Sequence, residues 1–157
     1  MDSKSNNHFA GAIMMIRKPV AEVYNAFINP EITTQFWFSE GSAALSQGST
    51  VEWTWKVLNH KVKIRVLSLI PSESILIQWG SDPDAQVRWS FEATSKSKTL
   101  VSIRNTGFKG NQDELISQIR DSTEGFTLVL VGLKALLEHG VVLNLVADKY
   151  EDFGDSL

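Results

Sequence analysis

Hydrophobic and polar residues alternate through the middle of this chain. Between residues 51 and 57 the odd positions are Val, Trp, Trp and Val, and the even positions are Glu, Thr and Lys. An alternation with a period of two predicts a strand with one buried face. The same period and intervening turn signals predict an antiparallel meander, whose further strands cover residues 61–70, 75–79, 87–93 and 99–106.

The amino-terminal part predicts one strand and two short helices. Residues 8–16 form the predicted strand, and apolar residues at helical spacing predict a helix from Pro19 to Ile28. Asn29-Pro30 ends this helix, and a second short helix is predicted over residues 31–36. A further strand is predicted at residues 42–46, between Gly41 and Gly48.

A helical period replaces the alternation after residue 110. It predicts one helix of about 25 residues, about 37 Å long, which begins at Asn111 or Asp113 and ends before Gly140. Gly125 and Gly132 lie inside this helix and mark places of bending or close packing. The apolar stripe consists of Leu115, Ile116, Ile119, Phe126, Val129, Leu130, Leu133, Leu136 and Leu137.

This order of elements predicts an α+β protein. Strands followed by a long helix favour a curved antiparallel sheet of about seven strands wrapped around that helix. The 157 residues suit a single domain over 1–157. We expect residues 1–7 to be disordered, and residues 141–157 to form a carboxyl-terminal extension.

Composition and motifs exclude several function classes. The chain has no cysteine, and its three histidines lack metal-ligand spacing, so we predict no metal site and no cofactor. No nucleotide-binding glycine motif or Gly-x-Ser-x-Gly elbow occurs. A net charge of −3 argues against nucleic acid, and no apolar run is long enough for membrane insertion. We expect a cytoplasmic protein, since neither a secretion signal nor cysteine is present.

Tryptophan is the conspicuous residue type, with five in the chain. Trp53, Trp55, Trp79 and Trp89 share the apolar face of their strands, so all four should point inward. They either line a cavity for an apolar or flat ligand or fill an ordinary core. Trp37 follows the short helices and either gates a cavity or anchors the joint between helices and sheet.

Few polar residues are candidates for the inner surface. Asn105 shares its parity with Val101 and Ile103, and an inward amide would need a hydrogen-bond partner. Gln118 and Arg120 on the long helix compete with Asn105 for the role of polar group in the cavity. Alternation predicts no inward acid–base pair, because the strand carboxylates Glu52 and Glu92 lie on outer faces.

The chain resembles the SRPBCC superfamily, also called START-like, which has the helix-grip fold. Within it, the chain is similar to the branch named after the activator of heat-shock-protein-90 ATPase. The resemblance covers residues 8–146 and departs from the glycine-rich turn of the family at Leu58-Asn59-His60. The segments that carry it are KPVAEVYNAF (18–27), NPE (29–31), FWF (36–38), GSTVEW (48–53), LEHG (137–140) and LNL (143–145).

The resemblance implies three functions. The first is binding of a small hydrophobic ligand between sheet and long helix. The second is regulation of a chaperone ATPase, although eukaryotic activators carry a further amino-terminal domain and this sequence begins at the first strand. The third is a cyclase- or hydrolase-like enzyme, which the missing acid–base pair disfavours.

A homodimer is compatible with each of these functions. The ligand-lining residues we predict are Trp53, Trp55, Ile64, Ile77, Trp79, Trp89, Phe91, Ile103, Asn105, Phe126 and Leu130.

Overall fold

A computed structural model describes residues 8–151. Residues 1–7, which we expect to be disordered, lie outside this range, as do the last six residues of the carboxyl-terminal extension. The elements in chain order are β1 (Phe9–Ile16), α1 (Val20–Ile28), α2 (Pro30–Thr33), β2 (Glu40–Gly41), β3 (Thr50–Trp55), β4 (His60–Ile70), β5 (Ser74–Trp79), β6 (Gln86–Ser95), β7 (Lys98–Thr106), α3 (Gln112–His139) and α4 (Leu145–Tyr150).

The seven strands form one antiparallel sheet in the order β1-β7-β6-β5-β4-β3-β2. The long helix α3 lies across the concave face, so the predicted α+β helix-grip fold is confirmed. Cross-strand register places apolar residues side by side on that face, as where Trp89 lies between Ile75 and Ile103. Within residues 8–151, no helix is both long and apolar enough to cross a membrane.

Helix α3 begins and ends at the signals that the sequence predicts. The Asn111 side chain accepts a hydrogen bond from the Glu114 backbone, and the Glu114 carboxylate accepts one from the Asn111 N–H. Gly140 ends the helix with a φ of 64°, which glycine adopts at little cost. Gly132 marks close packing, since a Cβ there would lie 3.2 Å from the Phe36 carbonyl oxygen.

Several predicted boundaries were wrong. Residues 42–46 form no strand, because pairing with β3 stops after Glu40–Gly41. The second helix ends at Thr33, and turns continue to residue 36. Strand β3 ends at Trp55, and the 3₁₀ turn Lys56–Leu58 leaves Val57 exposed. Ile116, which the predicted apolar stripe includes, is 54% exposed, whereas Leu115 and Ile119 beside it are half-buried.

Polar contacts hold the carboxyl-terminal half of α3 against the edge strand β1. The Lys134 ammonium donates to the Met15 carbonyl at 2.8 Å and to the Glu138 carboxylate at 2.6 Å. The same carboxylate accepts a hydrogen bond from the Arg17 N–H at 2.9 Å. Burial raises the pKa of Glu138, but the Lys134 and Arg17 hydrogen bonds outweigh it and hold that pKa below its ordinary value. These hydrogen bonds tie the carboxyl-terminal half of α3 to the β1 edge of the sheet.

We predict that Glu138→Gln lowers the free energy of unfolding by about 1–2 kcal/mol near neutral pH, because it removes charge-assisted hydrogen bonds. A carboxyl whose pKa is lowered by folding stabilises the protein above its unfolded pKa, and the effect disappears as pH falls through the folded pKa. The difference in the free energy of unfolding between wild type and variant should therefore be complete at pH values above the ordinary pKa of 4.5. It should disappear under more acidic conditions. Urea denaturation across a pH series measures it. Glu92→Gln, on the exposed face of β6, is the control, and a pH-independent difference would contradict the prediction.

Candidate functional site

A cavity of about 630 Å³ opens between the concave face of the sheet and helices α3 and α4. Strands β3–β5 and β7 contribute one wall, and the first half of α3 contributes the other. The cavity exists because α3 packs mainly on β1, at the opposite edge of the sheet, and α1 packs on β6 and β7. The inner face of β3–β5 is thus left without a helix directly on it.

Three indoles form the inner wall. The ring centroids of Trp37, Trp55 and Trp79 lie 5.8–6.2 Å apart, so the rings are in mutual contact. Phe126 of α3 joins them, with its ring 5.8 Å from Trp37. The combined surface is aromatic on its cavity side and continuous with the core behind it.

Trp37 connects this wall to the core. Its ring lies 4.9 Å from that of Trp53 and 5.9 Å from that of Trp89, while another part of the side chain faces the cavity. Sequence reasoning left open whether Trp37 gates a cavity or anchors the helices to the sheet. The structure gives it the contacts of an anchor and a place on the cavity wall.

The eleven residues predicted to line a ligand site divide into two groups. Four line the cavity: Trp55, Trp79, Asn105 and Phe126. Seven lie behind the wall in the packed core: Trp53, Ile64, Ile77, Trp89, Phe91, Ile103 and Leu130. Trp53 and Trp89 are only 2% and 1% exposed. The inward direction of the strand tryptophans is confirmed, with Trp79 half-buried at the cavity.

Several cavity residues escaped sequence reasoning. Helix α4 covers one side and contributes Val146, Lys149 and Tyr150, but its six residues carry too short a pattern to predict a helix. Gly125 faces the cavity with no atom within 4 Å of a Cβ built on it. The sequence predicts bending or close packing at this glycine, and the structure shows open space there instead of close packing.

The turn after β3 forms another part of the cavity wall. Asn59 takes the left-handed conformation there, with a φ of 48°, at the turn that is rich in glycine in the family the sequence resembles. Leu58 and His60 on either side both line the cavity. The His60 ring lies 5.9 Å from that of Trp55 and extends the aromatic wall to the mouth.

A neutral polar pair interrupts the apolar wall. Asn105 of β7 donates from Nδ2 to Ser122 Oγ of α3 at 2.8 Å, and both side chains are half-buried. Of the residues considered as alternatives, Gln118 is exposed at the rim and donates to the Lys109 carbonyl. Arg120 is exposed, does not line the cavity, and lies 3.8 Å from Asp121. Asn105 is therefore the more deeply placed of the three.

Charged residues surround the mouth in pairs. The Lys109 ammonium lies 3.0 Å from both Asp82 and Asp84, and Lys149 of α4 pairs with Glu124 of α3. The Asp82 carboxylate accepts a hydrogen bond from the Asp84 backbone N–H and another from Lys109, and both lower the pKa of Asp82. Hydrogen bonds to Asp84 and Asp82 raise the pKa of Lys109. Both pKa values move away from neutrality, which makes these groups poor proton donors or acceptors near neutral pH.

A glycine allows the two loops at the mouth to meet. Gly107 has a φ of +90°, and a Cβ at this position would lie 1.8 Å from the Asp84 carbonyl oxygen. A side chain is therefore excluded both by backbone conformation and by space. This contact places Phe108 and Lys109 beside the loop that carries Asp82.

Known proteins share this architecture. A structure from Staphylococcus saprophyticus has 27% identity and a TM-score of 0.75, covering 86% of this chain and 95% of its own. A protein described as the Aha1 dimer of Colwellia psychrerythraea has 18% identity and a TM-score of 0.72, with coverages of 84% and 97%. DynU16, from the dynemicin biosynthetic locus, has 19% identity and a TM-score of 0.75, with coverages of 87% and 49%. No curated protein matches the chain.

Together, the fold and the cavity define a helix-grip domain of the SRPBCC superfamily. The family model described as "Activator of Hsp90 ATPase homolog 1-like protein" matches residues 17–138. The chain belongs to this family, which confirms the branch indicated by the sequence motifs.

We predict that Gly107→Ala lowers the free energy of unfolding by roughly 2 kcal/mol or more, because it combines an unfavourable φ with a backbone clash. Gly48→Ala is the matched control, since Gly48 has a φ of +78° but nothing within 4 Å of its Cβ. Thermal denaturation of the two variants separates the clash from the conformational cost. Equal losses in both would contradict the role given to the contact with Asp84.

Proposed function

We propose that this protein binds a small hydrophobic ligand in the cavity between the sheet and α3. The observation that carries the proposal is an aromatic-walled space of about 630 Å³ in an otherwise well-packed protein. Ligand cavities typically measure about 300–1,000 Å³ and combine apolar walls with few polar groups. Trp37, Trp55, Trp79 and Phe126 would supply contact area, and Asn105 with Ser122 would orient the ligand.

The energetics favour an apolar ligand. Contact with the three cavity indoles removes apolar surface from water. Each Å² of apolar surface removed contributes about 25 cal/mol of favourable free energy, before the costs of association and ordering are subtracted. The tryptophans behind the wall would act indirectly, since Trp53 and Trp89 hold Trp37 in place through ring contacts. We therefore expect the seven core residues to support the cavity wall from behind and not to contact the ligand. The cysteine-free composition is compatible with action in the cytoplasm.

The test fills the cavity from α3. We predict that Gly125→Phe weakens binding of a neutral naphthalene at least about tenfold, because the added ring occupies the open space beside Gly125. Thr127→Phe, two residues along the same helix and exposed, is the control. Tryptophan fluorescence titration measures affinity, and native mass spectrometry of protein from its own host shows whether a ligand is retained. Host protein without ligand, and no naphthalene binding by wild type, would contradict the proposal.

Regulation of a chaperone ATPase is the second candidate function. It is favoured by the name of the family model, "Activator of Hsp90 ATPase homolog 1-like protein", and by the structural neighbour named Aha1. An ATPase assay with the host Hsp90 tests it, and no rate change at saturating protein would end it. The neighbour's dimeric state makes a homodimer worth testing by light scattering in the same experiments.

An enzyme acting in the same cavity is a weaker proposal. Proton transfer at neutral pH needs groups with pKa values near 7. The ion pairs at the mouth instead lower the pKa of Asp82 and raise the pKa of Lys109.

A further inference from the structure

We propose that the cavity selects a neutral ligand bearing a hydrogen-bond acceptor oxygen, such as a ketone, ester or amide carbonyl. Asn105 and Ser122 recognise this oxygen. The inference rests on the proposed ligand-binding function and adds the chemical class of the ligand and the residues that determine it.

The Asn105–Ser122 pair retains unused hydrogen-bond donors. Asn105 donates one of its two Nδ2 hydrogens to Ser122 Oγ. The second amide hydrogen and the Ser122 hydroxyl hydrogen are therefore still available for donation. Neither has an acceptor among residues 8–151. If the amide were turned by 180°, Asn105 would accept from Ser122 and keep both N–H groups unused. Two donor hydrogens are unused in both arrangements, whereas Asn105 Oδ1 is unused only in the first, so an acceptor oxygen from a ligand or from water complements the pair in either case.

The position of Asn105 supports this assignment. It lies within β7 and is paired in register with Ala10 and Val87, so a rigid sheet holds it rather than a loop. Ser122 lies on α3 one helical turn before Phe126. A ligand oxygen at this pair would therefore sit at the wall, next to the aromatic surface that accommodates an apolar body.

The charges around the mouth exclude an anionic ligand. Both lysines that line the cavity, Lys109 and Lys149, are already paired with carboxylates. These two ammonium groups are paired with three carboxylates, those of Asp82, Asp84 and Glu124, and a fourth carboxylate, that of Asp121, also lines the cavity. A ligand carboxylate would lose hydration in a largely apolar cavity and would meet no unpaired lysine there.

A ligand without any acceptor also binds less well. A pure hydrocarbon would displace water from Asn105 and Ser122 and leave their donors unsatisfied. A neutral carbonyl satisfies the donors without introducing a charge. The two polar residues therefore act as a selectivity element within an apolar site.

Three naphthalenes of similar shape test the proposal: 2-acetylnaphthalene, 2-ethylnaphthalene and 2-naphthoate. We expect wild type to bind the ketone roughly three- to tenfold more tightly than the hydrocarbon, as one hydrogen bond predicts. The carboxylate should bind most weakly. Asn105→Leu and Ser122→Ala should each reduce the preference for the ketone while retaining affinity for 2-ethylnaphthalene. Ser102→Ala, on the outer face of the same strand, should leave it unchanged.

Fluorescence titration gives the affinities, and thermal denaturation checks that each variant is folded. Tighter binding of 2-naphthoate than of the ketone would overturn the proposal, as would an unchanged ketone preference in both variants. Binding of 2-ethylnaphthalene without any ketone preference would refute this inference and leave the proposed function intact. Failure of all three probes to bind wild type would refute both.

Discussion

A single helix cannot cover a seven-stranded sheet, and the rest of this structure depends on that mismatch. A helix with its side chains is about 10–12 Å wide, whereas seven strands at about 4.8 Å spacing span roughly 29 Å before curvature. Lys134 and Glu138 hold α3 beside β1. The inner face of β3–β5 must therefore be covered by something else, or remain open.

Large aromatic side chains cover most of this remaining face. Trp53 and Trp89 fill the deep part, and Phe38 stacks on Trp53 at 4.6 Å between ring centroids. Trp37, Trp55 and Trp79 extend the packing outward until it ends at the cavity. The abundance of tryptophan thus has two physical roles, one in the core and one in the wall, and they meet at Trp37.

Sequence patterns predicted the fold well because apolar residues recur every two positions in a strand with one buried face, and at helical spacing in a helix with one buried face. They also predicted that Trp53, Trp55, Trp79 and Trp89 point inward. Alternation carries no information about depth, so it could not separate Trp53 in the core from Trp55 at the cavity. That distinction depends on where α3 lies across the sheet, which is set by contacts between residues far apart in sequence, such as Arg17 and Glu138. The six residues of α4 carry too short a pattern to predict a helix, and its place beside the cavity depends on contacts with α3 and with the turn after β3.

The division of the tryptophans into wall and core is tested most directly by intermolecular nuclear Overhauser effects. In a complex with 2-acetylnaphthalene, ligand protons should give such effects to the rings of Trp37, Trp55 and Trp79. The rings of Trp53 and Trp89 should give none. Effects to Trp53 and Trp89, or none to the three wall indoles in a saturated complex, would contradict the division.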